Sequence, residues 1–205
     1  MRDERSVAIP AQEGALALEG IYVAGGGDAG AVIAAPHPLY GGSMDSPVVA
    51  EVAHACASSG LATLRFNWRG VGASAGEPSG DPRDADADYA AALEHLAATV
   101  AGPIAVCGYS FGAAAALRAA ASSPRVRQAI LVAPPPALLG AGDLAGVRRA
   151  LLVAGEEDAI APPDELRALV AGVPGAHLEV LPDADHFFMI GLAGIGRAVL
   201  RFLAT

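Results

Sequence analysis

The stretch from residue 103 to 121 does most to limit the folds open to this chain. Pro103-Ile104-Ala105-Val106-Cys107 is an apolar, strand-like run, Gly108-Tyr109-Ser110-Phe111-Gly112 follows it directly, and Ala113 to Ala121 is an alanine-rich helical stretch. A strand that passes straight into a helix needs a sharp turn, and the two glycines remove the Cβ atoms that would clash in it. Ser110 then stands clear above a sheet, where the unpaired N–H groups and positive dipole end of the following helix suit an anion. In a chain with 25 glycines a bare G-x-S-x-G match carries little by itself, so the weight falls on what surrounds it.

What surrounds it is an alternation of strands and helices. Val7 to Ile9 and Ala15 to Val23 read as two strands, the second alternating at Leu16, Leu18 and Gly20. Ala31 to Ala35 is a short continuous apolar run, as expected of a strand covered on both faces. A helix is expected from Pro47 to Ser59 with Ser46 as its N-cap and Gly60 past its end. Then come a strand at Leu61 to Phe66, a loop from Asn67 to Gly80 and a helix from about Asp84 to Ala98. Beyond the serine, strands at Ala129 to Ala133, Ala150 to Ala154 and Leu178 to Leu181 alternate with helices at Pro163 to Ala171 and Gly191 to Leu203. Such alternation implies an α/β fold: a doubly wound, mostly parallel sheet with helices on both faces. No repeat or low-complexity linker divides residues 1–205, which reads as a single domain.

Ligands of such sheets bind at the carboxyl ends of the strands. The loops that follow strands here are 36–46, 67–80, 108–110, 134–148, 155–162 and 182–189, and every unusual polar cluster of the sequence falls in one of them. A nucleophilic serine needs a base, and the base needs an acid that fixes its tautomer. Of the five histidines, His54 and His95 sit within expected helices and His177 opens a strand. His37 follows an early strand, whereas His186, in Asp183-Ala184-Asp185-His186-Phe187-Phe188, follows a strand downstream of the serine and is the candidate base. Asp158, in Gly155-Glu156-Glu157-Asp158, is the candidate acid; Asp185 and Asp143 are the weaker ones. An oxyanion would need two backbone donors: the amide of Phe111, and one from the loop Pro36-His37-Pro38-Leu39-Tyr40-Gly41-Gly42. Pro38 has no N–H, which leaves Leu39 or Tyr40.

With these stretches in hand, the chain resembles the α/β-hydrolase superfamily, in particular a small lidless bacterial branch related to dienelactone hydrolase-like esterases. The matching segments are HPLYGGSMDSPVV (37–49), LRFNWRGVGASAG (64–76), GYSFGA (108–113), LVAPPP (131–136), GEEDAIAPP (155–163) and ADHFF (184–188), and they span nearly the whole chain. The resemblance implies Ser110 as nucleophile, Asp158 as acid and His186 as base. One departure is Ser46, where relatives often carry Asn. In the superfamily a cap domain is commonly inserted after the strand that ends here at Ala133, and the connection from Pro134 to Arg148 is too short to hold one. The site is therefore expected to be open. Tyr109, Trp68, Phe187 and Phe188 are candidate pocket walls, while Arg69 and its neighbouring glycines are expected to fix the turn after residue 66.

The expected activity is serine-dependent hydrolysis of a carboxylic ester. Thioester hydrolysis, acyl transfer or cyclisation would use the same three residues, and a non-catalytic binding protein on this fold is the rival from another class. The partner is a small acyl ester or thioester. A net charge of −9 argues against nucleic acid and anionic membranes, and no run of 18 apolar residues exists. The charged start, Met1-Arg2-Asp3-Glu4-Arg5, is unlike a signal peptide, which makes a cytoplasmic location the default. Cys56 and Cys107 read as buried hydrophobes. Asp84-Ala85-Asp86-Ala87-Asp88 imitates the start of a calcium loop, but Tyr89 stands where that loop needs glycine and His95 where it needs Glu. No metal and no nucleotide cofactor is expected, and oligomeric state is left open.

Overall fold

The computed structural model describes residues 3–11, 16–121, 123–139 and 142–205. They form one eight-stranded sheet flanked by five α-helices. In chain order the elements are β1 (Glu4–Ala11), β2 (Leu16–Val23), β3 (Gly30–Ala34), α1 (Pro47–Ser58), β4 (Ala62–Phe66), α2 (Pro82–Thr99), β5 (Ile104–Tyr109), α3 (Phe111–Ala120), β6 (Val126–Val132), β7 (Arg149–Gly155), α4 (Pro163–Val170), β8 (Ala176–Leu181) and α5 (Leu192–Leu203). The sheet order is β1-β2-β4-β3-β5-β6-β7-β8; β2 runs antiparallel to β1 and β4, and all strands from β3 onward are parallel.

The connections explain where the helices lie. From β3 the chain crosses to β4 on one side, then returns across β3 to β5 and continues outward through β6, β7 and β8. With right-handed crossovers, that reversal puts α1 on one face and α2, α3 and α4 on the other. The contacts agree: α1 packs on α5, and α2 packs on α3. The crossovers thus diverge between neighbouring strands β3 and β5, which is the topological switch point where such sheets open a crevice. The loop after β3 and the turn after β5, singled out by sequence, therefore meet there.

Burial follows the same logic. β3 and β5 are buried throughout, as strands covered on both faces must be, whereas β1 and β8 at the two edges alternate or stay half-buried. Cys56 and Cys107 are free thiols inside the core.

Element boundaries shift from the sequence reading for local reasons. The helix expected from Asp84 starts at Pro82, because the Asp81 carboxylate caps it by accepting from the Arg83 amide. Ser46 stands at the N-cap of α1 but makes no side-chain capping bond. β1 is longer than Val7 to Ile9 because it pairs with β2 along its whole length; Ala15, expected to open β2, lies outside the described residues. β6 begins at Val126 and β8 at Ala176, earlier than the apolar runs. Register with β5 and β7 recruits Val126 and Gln128 into β6, and Ala176 and His177 into β8.

Candidate active site

The turn after β5 is strained at one residue. Ser110 has φ 54° and ψ −119°, a positive φ that a residue with a Cβ rarely adopts. Both glycines of the motif are required by close approach: a Cβ on Gly108 would overlap the carbonyl oxygen of Gly112, and one on Gly112 would overlap that of Ala35. The turn is thereby pressed against the end of β3. Ser110 N donates to the Val132 carbonyl at 2.8 Å, which ties it to β6 as well.

The structure brings three of the sequence candidates into one chain of contacts. Ser110 Oγ lies 3.0 Å from His186 Nε2, and His186 Nδ1 lies 2.8 Å from Asp158 Oδ2 and 3.0 Å from Asp158 Oδ1. Asp158 sits in the loop after β7 and is 3% exposed; His186, after β8, is 7% exposed. Asp158 Oδ1 also accepts from the amides of Ile160 at 2.8 Å and Ala161 at 2.7 Å. Burial by itself would raise the Asp158 pKa, but the bonds from His186, Ala161 and Ile160 outweigh it and hold the carboxyl below its ordinary value. An ionised Asp158 makes His186 Nδ1 the protonated nitrogen, so Nε2 faces Ser110 as an acceptor. Asp185, the weaker candidate acid, is exposed, and its Oδ1 accepts from the Phe187 and Phe188 amides of its own turn.

The expected oxyanion donors divide. Phe111 N, at the first position of α3, has no acceptor among the described residues. Tyr40 N closes a 3₁₀ turn over Pro38–Tyr40 by donating to the His37 carbonyl at 3.1 Å, so Tyr40 is corrected as a free donor. Leu39 N donates to His37 Nδ1 at 3.2 Å, an exposed bond to a side chain. This bond requires a neutral His37, and burial lowers the His37 pKa accordingly. The His37 ring sits against those of Phe111 and Tyr40, with centroids 4.6 and 4.7 Å away.

Three of the four expected pocket walls are corrected. Trp68 is 1% exposed, and its indole Nε1 donates to the carbonyls of Ala35 and Pro36, fastening the end of β3. Phe188 is core. Tyr109 is buried and its hydroxyl donates to the His186 carbonyl at 2.7 Å, which holds the loop of the candidate base. Burial, and then the charges of Asp158 and Asp185, push the Tyr109 pKa up to about 12, so it remains a donor at neutral pH. Only Phe187 is exposed. Aromatic side chains beside a reactive turn fill the core first, because burying them is worth more than lining a crevice.

A buried clamp went unread in the sequence. Asp84 and Asp88 of α2, the residues that imitate a calcium loop, grip Arg69: Asp88 Oδ1 takes Arg69 Nη2 at 2.7 Å, Asp88 Oδ2 takes the Arg69 amide at 2.9 Å, and Asp84 pairs with Nη1. Their i, i+4 spacing on one helix face was the readable signal. The same loop is fastened by Asn67, whose Oδ1 accepts from Met44 N and whose Nδ2 donates to Glu19. Among the described residues no group of His, Cys, Asp and Glu is placed to hold a metal ion, and no helix is long and apolar enough to cross a membrane.

The family model for serine aminopeptidase, S33, matches residues 31–139. An alpha-beta serine hydrolase homologue from Coxiella burnetii superposes with a TM-score of 0.84 at 29% identity, over 98% of this chain and 97% of that one. A serine hydrolase without a lid from Xanthomonas campestris gives 0.87 at 27% identity, over 98% of this chain and 94% of that one. An uncharacterized protein of Rickettsia prowazekii is 28% identical over 189 residues, which are 85% of this chain and 78% of that protein.

Proposed function

Since the chain belongs to the serine aminopeptidase S33 family of the α/β-hydrolase superfamily, we propose that it is a serine hydrolase that cleaves carboxylic esters through an acyl-enzyme. The observation that carries the reading is the unbroken path from Ser110 Oγ through His186 to Asp158, each step within hydrogen-bond distance. His186 Nε2 takes the Ser110 proton as the oxygen attacks the acyl carbon, and Asp158 stabilises the imidazolium. The developing oxyanion accepts from Phe111 N and from Leu39 N, which exchanges its bond to His37 Nδ1 for a stronger one to a charged oxygen. His186 then protonates the departing alkoxide, and water repeats the sequence to release the acid.

A second reading, cleavage of amides at a peptide's amino terminus, is favoured by the family's description and by exposed carboxylates at Glu156, Glu157, Asp183 and Asp185. The ester reading stands first because two of those acids are already engaged. Asp185 holds its own turn, and Glu156 accepts from the Asp183 amide. A fluorophosphonate probe together with 4-nitrophenyl acetate and alanine 4-nitroanilide tests both. Labelling and ester turnover that vanish in Ser110→Ala support the proposal. Turnover of the anilide alone moves the function to peptidase, and a native protein that neither labels nor turns over either compound is not a hydrolase.

A further inference from the structure

Large apolar side chains exposed to solvent are unevenly placed. Of the eight among the described residues, seven lie on loops at the carboxyl edge of the sheet, the edge that holds Ser110, and only Leu200 lies elsewhere. Leu39 and Tyr40 are on the loop after β3, Leu138 follows β6 and Ile160 follows β7. Phe187, Met189 and Ile190 follow β8, and Met189 is 87% exposed. Scattered exposed hydrophobics need no explanation, but a group confined to one edge marks a surface that something apolar covers.

Charge says what that something is. The same edge carries exposed carboxylates at Asp45, Glu77, Glu156, Glu157, Asp183 and Asp185. Arg83, in the first turn of α2, and Arg167, in the last turn of α4, already pair with Asp81 and Asp164. At the opposite edge Arg125, Arg127, Arg148 and Arg149 line one groove of about 710 Å³, and none of them pairs with a carboxylate among the described residues. Charge is thus unevenly spread, with the exposed carboxylates around Ser110 facing no unpaired arginine among those named, while at the opposite edge Asp3, Glu4 and Asp28 accompany the four arginines. An anionic ligand is repelled there. A second copy seated on this rim by two-fold symmetry would set carboxylates against their own counterparts. A membrane with anionic lipids is opposed in the same way.

We propose that the substrate is a small uncharged ester with a bulky apolar acyl group, held on this rim, and that anionic esters, including acyl groups carried on phosphorylated thiols, are rejected by charge. The inference rests on the hydrolase reading and extends it to a substrate class. Leu39 carries one proposed oxyanion donor and Tyr40 follows it, while Phe187, Met189 and Ile190 follow His186, so exposed apolar side chains stand near both ends of the proposed site.

The test compares 4-nitrophenyl acetate with the octanoate, each kept below micelle formation, and the pentanoate with the half-ester of glutaric acid. The expected octanoate-to-acetate ratio in kcat/KM is on the order of tenfold or more, since partial cover of six added methylenes suffices for that. The anionic half-ester should be slower than the pentanoate by roughly tenfold at low salt, with the gap closing as salt rises. The double variant Phe187→Ser, Met189→Ser should flatten the chain-length ratio, and Leu200→Ser should not. A flat ratio in the native enzyme, equal or faster turnover of the anionic ester, or light scattering that shows a dimer dissolved by the double variant each overturns the inference. Loss of fluorophosphonate labelling and of all ester turnover would instead overturn the hydrolase reading beneath it.

Discussion

Replacing Asp158 by Asn changes one atom in the site and should nearly abolish turnover, for a reason the hydrogen bonds make specific. Asp158 Oδ1 accepts from two backbone amides, Ile160 and Ala161, at 2.8 and 2.7 Å. An asparagine must keep its single oxygen there, because the flipped amide would aim its NH₂ at two N–H donors. The NH₂ group is then forced into the place of Oδ2, 2.8 Å from His186 Nδ1. Facing a donor, Nδ1 must become the acceptor, so the proton moves to Nε2 and His186 cannot take the Ser110 proton. A wrong tautomer in a triad costs kcat about 10⁴-fold, or roughly 5 kcal/mol of transition-state stabilisation. The fold should survive, since both backbone bonds and the shape are kept. The assay is steady-state hydrolysis of 4-nitrophenyl acetate, with the tautomer read from ¹⁵N shifts of the His186 ring. An Asp158→Asn enzyme within tenfold of native kcat would refute the argument and turn attention to Asp185.

Other expectations follow from single contacts. Tyr109→Phe removes the side-chain bond to the His186 carbonyl. It should cost roughly 1–3 kcal/mol in urea denaturation and lower kcat more than KM, because it loosens the base without touching substrate. Asp88→Asn leaves the buried Arg69 guanidinium half-paired. Losses of about 3–5 kcal/mol are usual there, so calorimetry should show Tm lower by on the order of 10 °C. Gly112→Ala drives a methyl group into the Ala35 carbonyl; fluorophosphonate labelling should fall sharply even where the protein stays folded. Stability should fall on the acid side. Asp158 and His37 both have folded pKa values below their unfolded ones, so each contributes stability above its unfolded value and loses it as pH falls through its folded value. Urea midpoints that stay flat from pH 7 to pH 4 would contradict this.

The sheet and the residues at its carboxyl edge were legible because strand, turn and helix signals in this chain agree locally. Ser110 could be placed from its two glycines together with the strand before them and the helix after them, and His186 and Asp158 from the strands they follow. Long-range hydrogen bonds were not legible. No pattern in the sequence couples the Tyr109 hydroxyl to a carbonyl 77 positions later, or Trp68 to Ala35 and Pro36. The same holds for the Leu39 amide, whose fate depends on how the His37 ring turns. Aromatic residues near the turn read equally well as pocket or core, and only packing decides between them.

One feature of the sheet has a kinetic meaning. β8, which delivers His186, is an edge strand with a single neighbour, β7, whereas the strands that deliver Ser110 and Asp158 are held on both sides. Edge strands open at lower free energy than central ones. Heating or mild denaturant should therefore detach the histidine while the rest of the sheet stays intact, and the proposed hydrolytic activity would be lost before circular dichroism reports any melting. Survival of activity up to the global transition would mean that β8 is as firmly seated as the core. The working life of the enzyme is then set by its outermost strand, and mutations that brace β8 on β7 should lengthen it more than any repacking of the interior.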